Sequence, residues 1–196
     1  MTLRTTLPFA IALTAVFSFA ASDKPAPEAT GSLIIYTATG TFASPATSGA
    51  DTLKLAGEPF SVTIPAPAVS QPYEHGPNWA AFNKLKLNGT VHSGLLGATP
   101  VTITSTQATI IQAFDPEVYD SFTMEAPIKV VGISLDIDAV IIMPFGTFPN
   151  PLLHPFPTPI TLAPANATMS YADGTATTVL AIASGTLTAT LQGGTQ

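Results

Sequence analysis

The chain of 196 residues has no cysteine. That excludes a disulfide framework, a thiolate nucleophile, a cysteine metal site and a lipid-modified N-terminal cysteine. Burial alone must hold any fold. Arginine is nearly absent too: Arg4 is the only one, leaving Lys24, Lys54, Lys84, Lys86 and Lys129 against twelve acids. Nucleic-acid binding depends on neutralising phosphates with Lys and Arg, so a nucleic-acid partner is excluded. Without guanidinium forks, bidentate recognition of phosphate or carboxylate is lost as well. No amphipathic helical stretch of useful length follows the first residues. No G-x-S-x-G elbow, P-loop, dinucleotide fingerprint or HExxH is present. These absences leave no catalytic motif, no metal motif and no cofactor motif.

The N-terminus, MTLRTTLPFAIALTAVFSFAASDKP, has the form of an export signal. Arg4 supplies a short positive start, Leu7 to Ala20 is mostly apolar, and small residues follow that suit cleavage after Ala20 or Ser22. The apolar run is shorter than the roughly 20 residues of a spanning helix. Residues 1–22 are therefore expected to be a helical signal peptide, and no membrane span is expected after its removal. Residues 23–31 read as a flexible linker, 32–192 as one domain and 193–196 as a flexible tail. This places the mature protein outside the cytoplasm, secreted or periplasmic. An apolar content of 46% argues for a packed core rather than disorder. Low charge points to a surface of threonine, serine and amide, which suits exposed strand faces.

Period-two segments bounded by Gly, Pro, Asn or Asp recur along the chain. They are clearest at 33–42, 51–55, 59–64, 84–87, 100–104, 108–113 and 128–143, with three more in the last thirty residues. Asp173-Gly174 and Ser184-Gly185 each suit a two-residue type I′ hairpin turn. The first pairs Tyr171 with Ala176 and Met169 with Thr178. The second pairs Ile182 with Leu187 and Leu180 with Ala189. Both registers put Met169, Tyr171, Leu180, Ile182, Leu187 and Leu191 on one face, and Thr175, Thr177, Thr186, Thr188 and Thr190 on the other. Asn88-Gly89 suits a third such turn, pairing Leu87 with Thr90 and Leu85 with His92. That turn leaves Lys84, Lys86 and Val91 on the opposite face. The expected fold is an all-β antiparallel sandwich of Greek-key type, because proline-dense stretches interrupt a regular closed meander. A barrel is the alternative.

Few residues carry chemistry. His75, His92 and His154 are the only imidazoles, and none sits at a ligand spacing from another. Asp136 and Asp138 share one strand face while Leu135 and Ile137 point inward, as an acid/base pair, a calcium site or a plain solvated face would have them. Asp115, Glu117, Asp120 and Glu125 add acids without EF-hand spacing. The aromatic stretch APAVSQPYEHGPNWAAF offers a binding candidate in Tyr73, Glu74, His75, Asn78 and Trp79. A flat ring beside amide and carboxylate groups on a proline-stiffened loop suits a sugar or a peptide. The bland alternative has Trp79 and Phe82 packed as core. Seven prolines between Pro144 and Pro164 forbid a central strand there and suggest an extended structural cover, with a recognition loop as the lesser reading. Asn88 and Asn166 head glycosylation sequons. The expected function is a non-enzymatic, exported domain with a structural or ligand-binding role and a glycan or protein partner at the cell surface. A carbohydrate-active module is the alternative.

Overall fold

The computed structural model describes residues 32–68, 72–114, 119–130, 132–144, 146–147, 159–172 and 176–193, with backbone alone at Ala98 and Phe114. The expected signal peptide, the linker at 23–31 and the proline-rich run from Phe148 to Thr158 lie outside the described residues. Within them the chain is all β: β1 (Leu33–Phe42), β2 (Pro59–Pro67), β3 (Glu74–His75), β4 (Trp79–Ser93), β5 (Gly97–Phe114), β6 (Tyr119–Val130), β7 (Ile133–Pro144), β8 (Ile160–Leu162), β9 (Ala167–Ala172) and β10 (Thr177–Gln192). The order β1-β2-β4-β5-β6-β7-β9-β10 closes through antiparallel pairing of β1 with β10, giving an eight-stranded barrel. The all-β expectation holds, and of the two architectures it is the barrel, without a Greek-key crossing, that forms.

Prolines do not prevent closure, because those in the wall sit where one strand edge has no ladder. The β2–β4 ladder runs only from Phe60–Thr63 to Asn88–Val91, so Pro65 and Pro67 lie beyond it. The β5–β6 ladder ends at Thr109↔Glu125, so Pro127 lies beyond that one. A residue lacking an N–H is tolerated at an edge of this kind. Where β2 leaves β4, the short β3 takes the vacated edge at Ala80 and Ala81. β8 and β9 run in the same direction and pair successive parts of β10, acting as one interrupted wall strand. The Asn166 amide holds the interruption: its Oδ1 accepts from the Ala163 N–H at 2.8 Å and its Nδ2 donates to the Thr161 carbonyl at 2.9 Å. Asn88, the other sequon residue, is exposed on β4.

Alternation along each strand sends one set of side chains inward. Ile34 and Tyr36 on β1, Val62 and Ile64 on β2, Leu85 and Leu87 on β4, Phe122 on β6, and Leu135 and Ile137 on β7 are all buried. The three expected hairpin turns fare differently. Tyr171 faces Thr178 and Met169 faces Leu180, two places from the expected register, and because the shift is even the inward face is unchanged. Residues 173–175 lie outside the described residues. Ser184-Gly185 and Asn88-Gly89 make no turn: both pass through the middle of continuous strands, and none of the four has the positive φ that a type I′ turn requires. Val91 consequently lies inside with Leu85 and Leu87, and His92 is half-buried on the outer face rather than beside Leu85. Residues 51–55 form turns rather than a strand, and 128–143 is a hairpin of β6 and β7 rather than one strand. Gly132 supplies its turn at φ 79°. Leu191, expected inward, is 57% exposed, since β8 flanks β10 only from Gly185 to Leu187.

The glycines in mid-strand serve close approach instead of turning. Gly185 faces Gly40 across the closing ladder, and an added Cβ at Gly185 would fall on the Thr39 carbonyl oxygen. One at Gly89 would meet the Ser61 carbonyl oxygen of β2. Both contacts are with backbone, which cannot step aside as a side-chain tip can. Gly185→Ala is therefore expected to destabilise the barrel by about 1–3 kcal/mol, lowering the melting temperature by roughly 3–10 °C. Thr186→Ala, one residue away with its side chain exposed, should change it little. Equal effects of the two in thermal unfolding would contradict this account of the closing seam.

Candidate functional site

The inward faces enclose a cavity of about 70 Å³. Its lining comes from every part of the wall, including Tyr36 and Ala38 of β1, Val62 and Ile64 of β2, Met124 and Ile128 of β6, Ile137 and Ala139 of β7, Met169 of β9 and Leu187 of β10. Thr168 and the two tyrosine rings are the polar exceptions, and no carboxylate, imidazole or amine is among the described lining residues. A barrel of eight strands leaves an interior that side chains fill or that holds one small ligand. Tyr36 leans on Phe122, with ring centroids 5.1 Å apart, and Phe42 stacks on Phe60 at 4.7 Å.

One mouth of the barrel is plugged by the loop from Ala43 to Glu58. Leu53 and Leu55, only 1% and 4% exposed, hang from it into the cavity wall. Asp51 organises the loop: Oδ1 accepts the Leu55 N–H at 3.0 Å, Oδ2 the Ala56 N–H at 2.8 Å, and Oδ1 also the Tyr171 hydroxyl at 3.0 Å. Ser93 donates to the Leu53 carbonyl at 2.6 Å, and Thr178 to the Ala50 carbonyl at 2.7 Å. The plug is thus fastened to β4, β9 and β10. Toward the other mouth, Gln112 and Asp120 turn inward and are fully buried, and Gln112 Nε2 donates to the Tyr36 hydroxyl at 3.1 Å. Sequence reasoning read Asp51 as part of a strand and did not single out Gln112. A lone acid before an alternating run gives no sign that it will bind its own loop.

The five residues expected to bind a ligand do gather in one place. Glu74 and His75 pair with Ala81 and Ala80, and the Gly76 N–H donates to the Trp79 carbonyl at 2.9 Å, which makes 73–81 a tight hairpin whose second arm, in β4, is part of the barrel wall. Glu74, His75 and Asn78 are exposed, while Tyr73 and Trp79 are half-buried. The Trp79 indole lies over Gly76, where a Cβ would collide with it. Phe82 is core.

Histidines do not converge. His75 pairs beside Ala80, and His92 lies twelve residues further along the same strand. At about 3.3 Å per residue the two stand roughly 40 Å apart. His154 is outside the described residues, as are Asp115 and Glu117. Among the described residues, no group of three His, Cys, Asp or Glu could hold a metal ion. Asp136 and Asp138 do share the outer face as expected, but the closer association is across strands. Asp138 of β7 stands opposite Glu125 of β6 on one side and Ser170 of β9 on the other, with Thr109 of β5 beyond Glu125.

Burial raises the pKa of both Glu125 and Asp138, and for Glu125 the neighbouring Asp138 charge raises it further. Asp138 Oδ1 is buried without a hydrogen-bond partner. An acid whose folded pKa exceeds its unfolded value holds its proton more tightly in the native state, so stability falls as pH rises from the unfolded value through the folded one. Asp138→Asn removes that loss. It should raise the melting temperature at pH 7 by roughly 1–3 °C, with the gain vanishing near pH 3.5, below both ordinary carboxyl values. Thermal scans at the two pH values check the sign. A mutant less stable at pH 7 would show that the carboxylate is better solvated than its position implies.

Known protein families, characterised proteins and solved structures offer no match to this chain, so its function rests on the geometry just described.

Proposed function

We propose that this protein is an exported, non-enzymatic binding protein that shelters a small apolar molecule inside its barrel. The observation that carries the reading is the interior cavity of about 70 Å³ with an almost wholly aliphatic and aromatic lining. Transfer of an apolar group from water into such a lining is favourable by about 25 cal/mol per Å² of surface buried. An apolar cavity of about 150 Å³ stays dry and binds benzene or xenon, and this smaller one has room for xenon or a molecule of a few carbons. The two phenol groups in the lining are committed to the wall and the plug, Tyr36 to Gln112 and Tyr171 to Asp51. The lining therefore supports binding rather than bond-breaking chemistry. The export reading rests on residues 1–22 of the sequence.

A second reading, sugar binding, is favoured by one observation: Tyr73, Glu74, His75, Asn78 and Trp79 share a single hairpin with three of the five side chains exposed. The two readings separate cleanly. Ala139 lines the cavity and is flanked across its ladders by Met124 and Met169, two adaptable side chains. Ala139→Leu should fill the space and abolish the binding of xenon, read by xenon NMR, while the circular-dichroism spectrum stays that of a barrel. Uptake unchanged by the filled interior would sink the binding reading. Polysaccharide retention lost in Trp79→Ala would support the sugar reading, and retention unaffected by that change would remove it.

A further inference from the structure

Among the described residues the wall parts between β5 and β6. β5 and β6 are joined by six residue pairs, from Thr109↔Glu125 to Phe114↔Asp120. Past Thr109, toward the plugged mouth, no ladder joins Gly97–Ala108 of β5 to Ala126–Val130 of β6 among the described residues. The ladder between β2 and β4 also stops short, with β3 covering only Ala80 and Ala81 of that edge, and no strand pairs with the parted stretch of β5 on this side. Between the parted strands lies a cleft of about 640 Å³. One side of it is Thr104, Ser105, Thr106 and Gln107, and the other includes Lys129, Ser134 and Asp136.

Two residues belong to both spaces. Ile128 of β6 and Leu135 of β7, partners in the β6–β7 ladder, line the outer cleft and the interior cavity alike. They form the partition between a hydroxyl- and amide-rich vestibule and an aliphatic chamber. Leu53 and Leu55 fill one mouth of the barrel, and Gln112 and Asp120 are buried toward the other. The side wall at Ile128 and Leu135 is where the chamber and the outer cleft share residues.

From this juxtaposition we propose that the ligand is an amphiphile with a short hydrocarbon body and an uncharged hydroxyl- or amide-bearing head. The body occupies the chamber and the head remains in the vestibule between β5 and β6. The inference rests on the reading of the interior as a binding site and deepens it. The vestibule selects against a net charge because its one cation and one anion, Lys129 and Asp136, offset each other, while Thr104, Ser105, Thr106, Gln107 and Ser134 supply neutral donors and acceptors. An apolar body with a few placed polar groups at its end is the usual division of labour in a small-molecule site.

The test uses the full mature chain and two probes, 1-propanol and propane, short enough for the chamber and measured by displacement of xenon followed by xenon NMR. Thr106 is exposed on a strand, so Thr106→Trp suits the local structure while crowding the vestibule. It should raise the dissociation constant for 1-propanol about tenfold, the loss of one or two head-group hydrogen bonds, and leave that for propane within about twofold. Gln107→Leu, also exposed, should weaken 1-propanol in the same sense and stands in if the tryptophan variant does not fold. Propionate should bind the unaltered chain more weakly than 1-propanol. If Ala139→Leu weakens both probes while neither vestibule variant discriminates between them, the amphiphile inference is overturned and the interior site stands. If neither probe binds the unaltered chain, the interior reading falls and this inference falls with it.

Discussion

Closure of the wall is the constraint on which everything else depends. In a chain without cysteine, the ladder between β1 and β10 is what turns an eight-strand meander into a barrel. It succeeds because two glycines, Gly40 and Gly185, meet near its Phe42 end and let the backbones approach within what any side chain would prevent. Once the ladder is shut, the inward-facing half of every strand becomes interior. The apolar content that looked like an ordinary sandwich core then encloses space.

That distinction explains which part of the fold was legible in the residues. Alternation identified the strands and their buried faces because period two is a local property: β1 was bounded at 33–42, and Leu135 with Ile137 inward and Asp136 with Asp138 outward came out as read. Connectivity was harder, because a two-residue turn and a single-residue bulge have the same effect on parity. In β10 the register slips between Thr41↔Ser184 and Phe42↔Ile182, so the inward set changes from Leu180 and Ile182 to Leu187 and Ala189. A hairpin at Ser184-Gly185 predicts the same buried residues. Only the third dimension shows that the strand goes straight on. For Asn88-Gly89 the turn reading did misplace faces, because there is no bulge at that point to compensate and Val91 follows Leu87 inward.

Prolines misled for a related reason. Their density argued against a closed sheet, yet a strand needs its N–H groups only where a neighbour lies on that side. Pro65, Pro67 and Pro127 stand where the wall has parted, and the sequence shows the missing donor without showing the missing neighbour. The expected binding residues were legible as a cluster, since Tyr73 to Trp79 are close in sequence and fold into one hairpin. The interior was not, because an enclosed space belongs to no segment. Ala38, Ala139 and Met169 border it from three different strands, and nothing in their local sequences sets them apart from neighbours that pack tightly.

The plug and the side opening then follow from one economy of the wall. With one mouth plugged, a seam between strands is a second approach to the interior, and a seam parts most readily where the ladder is short. The plug fastens the end of the barrel that carries β4, β9 and β10, through Ser93, Tyr171 and Thr178. β5 and β6 take no part in that fastening among the contacts described, and their ladder spans only the far half of the strands. The rigid and the open parts of the same end are therefore on different strands. The seam between Thr104–Gln107 and Pro127–Lys129 thus lies apart from Asp51 and the leucines it positions. Ile128 and Leu135, which border both spaces, are aliphatic and carry no polar group that needs a partner. Rotating them exposes no buried donor or acceptor, so the partition between vestibule and chamber can open at the cost of apolar contact alone.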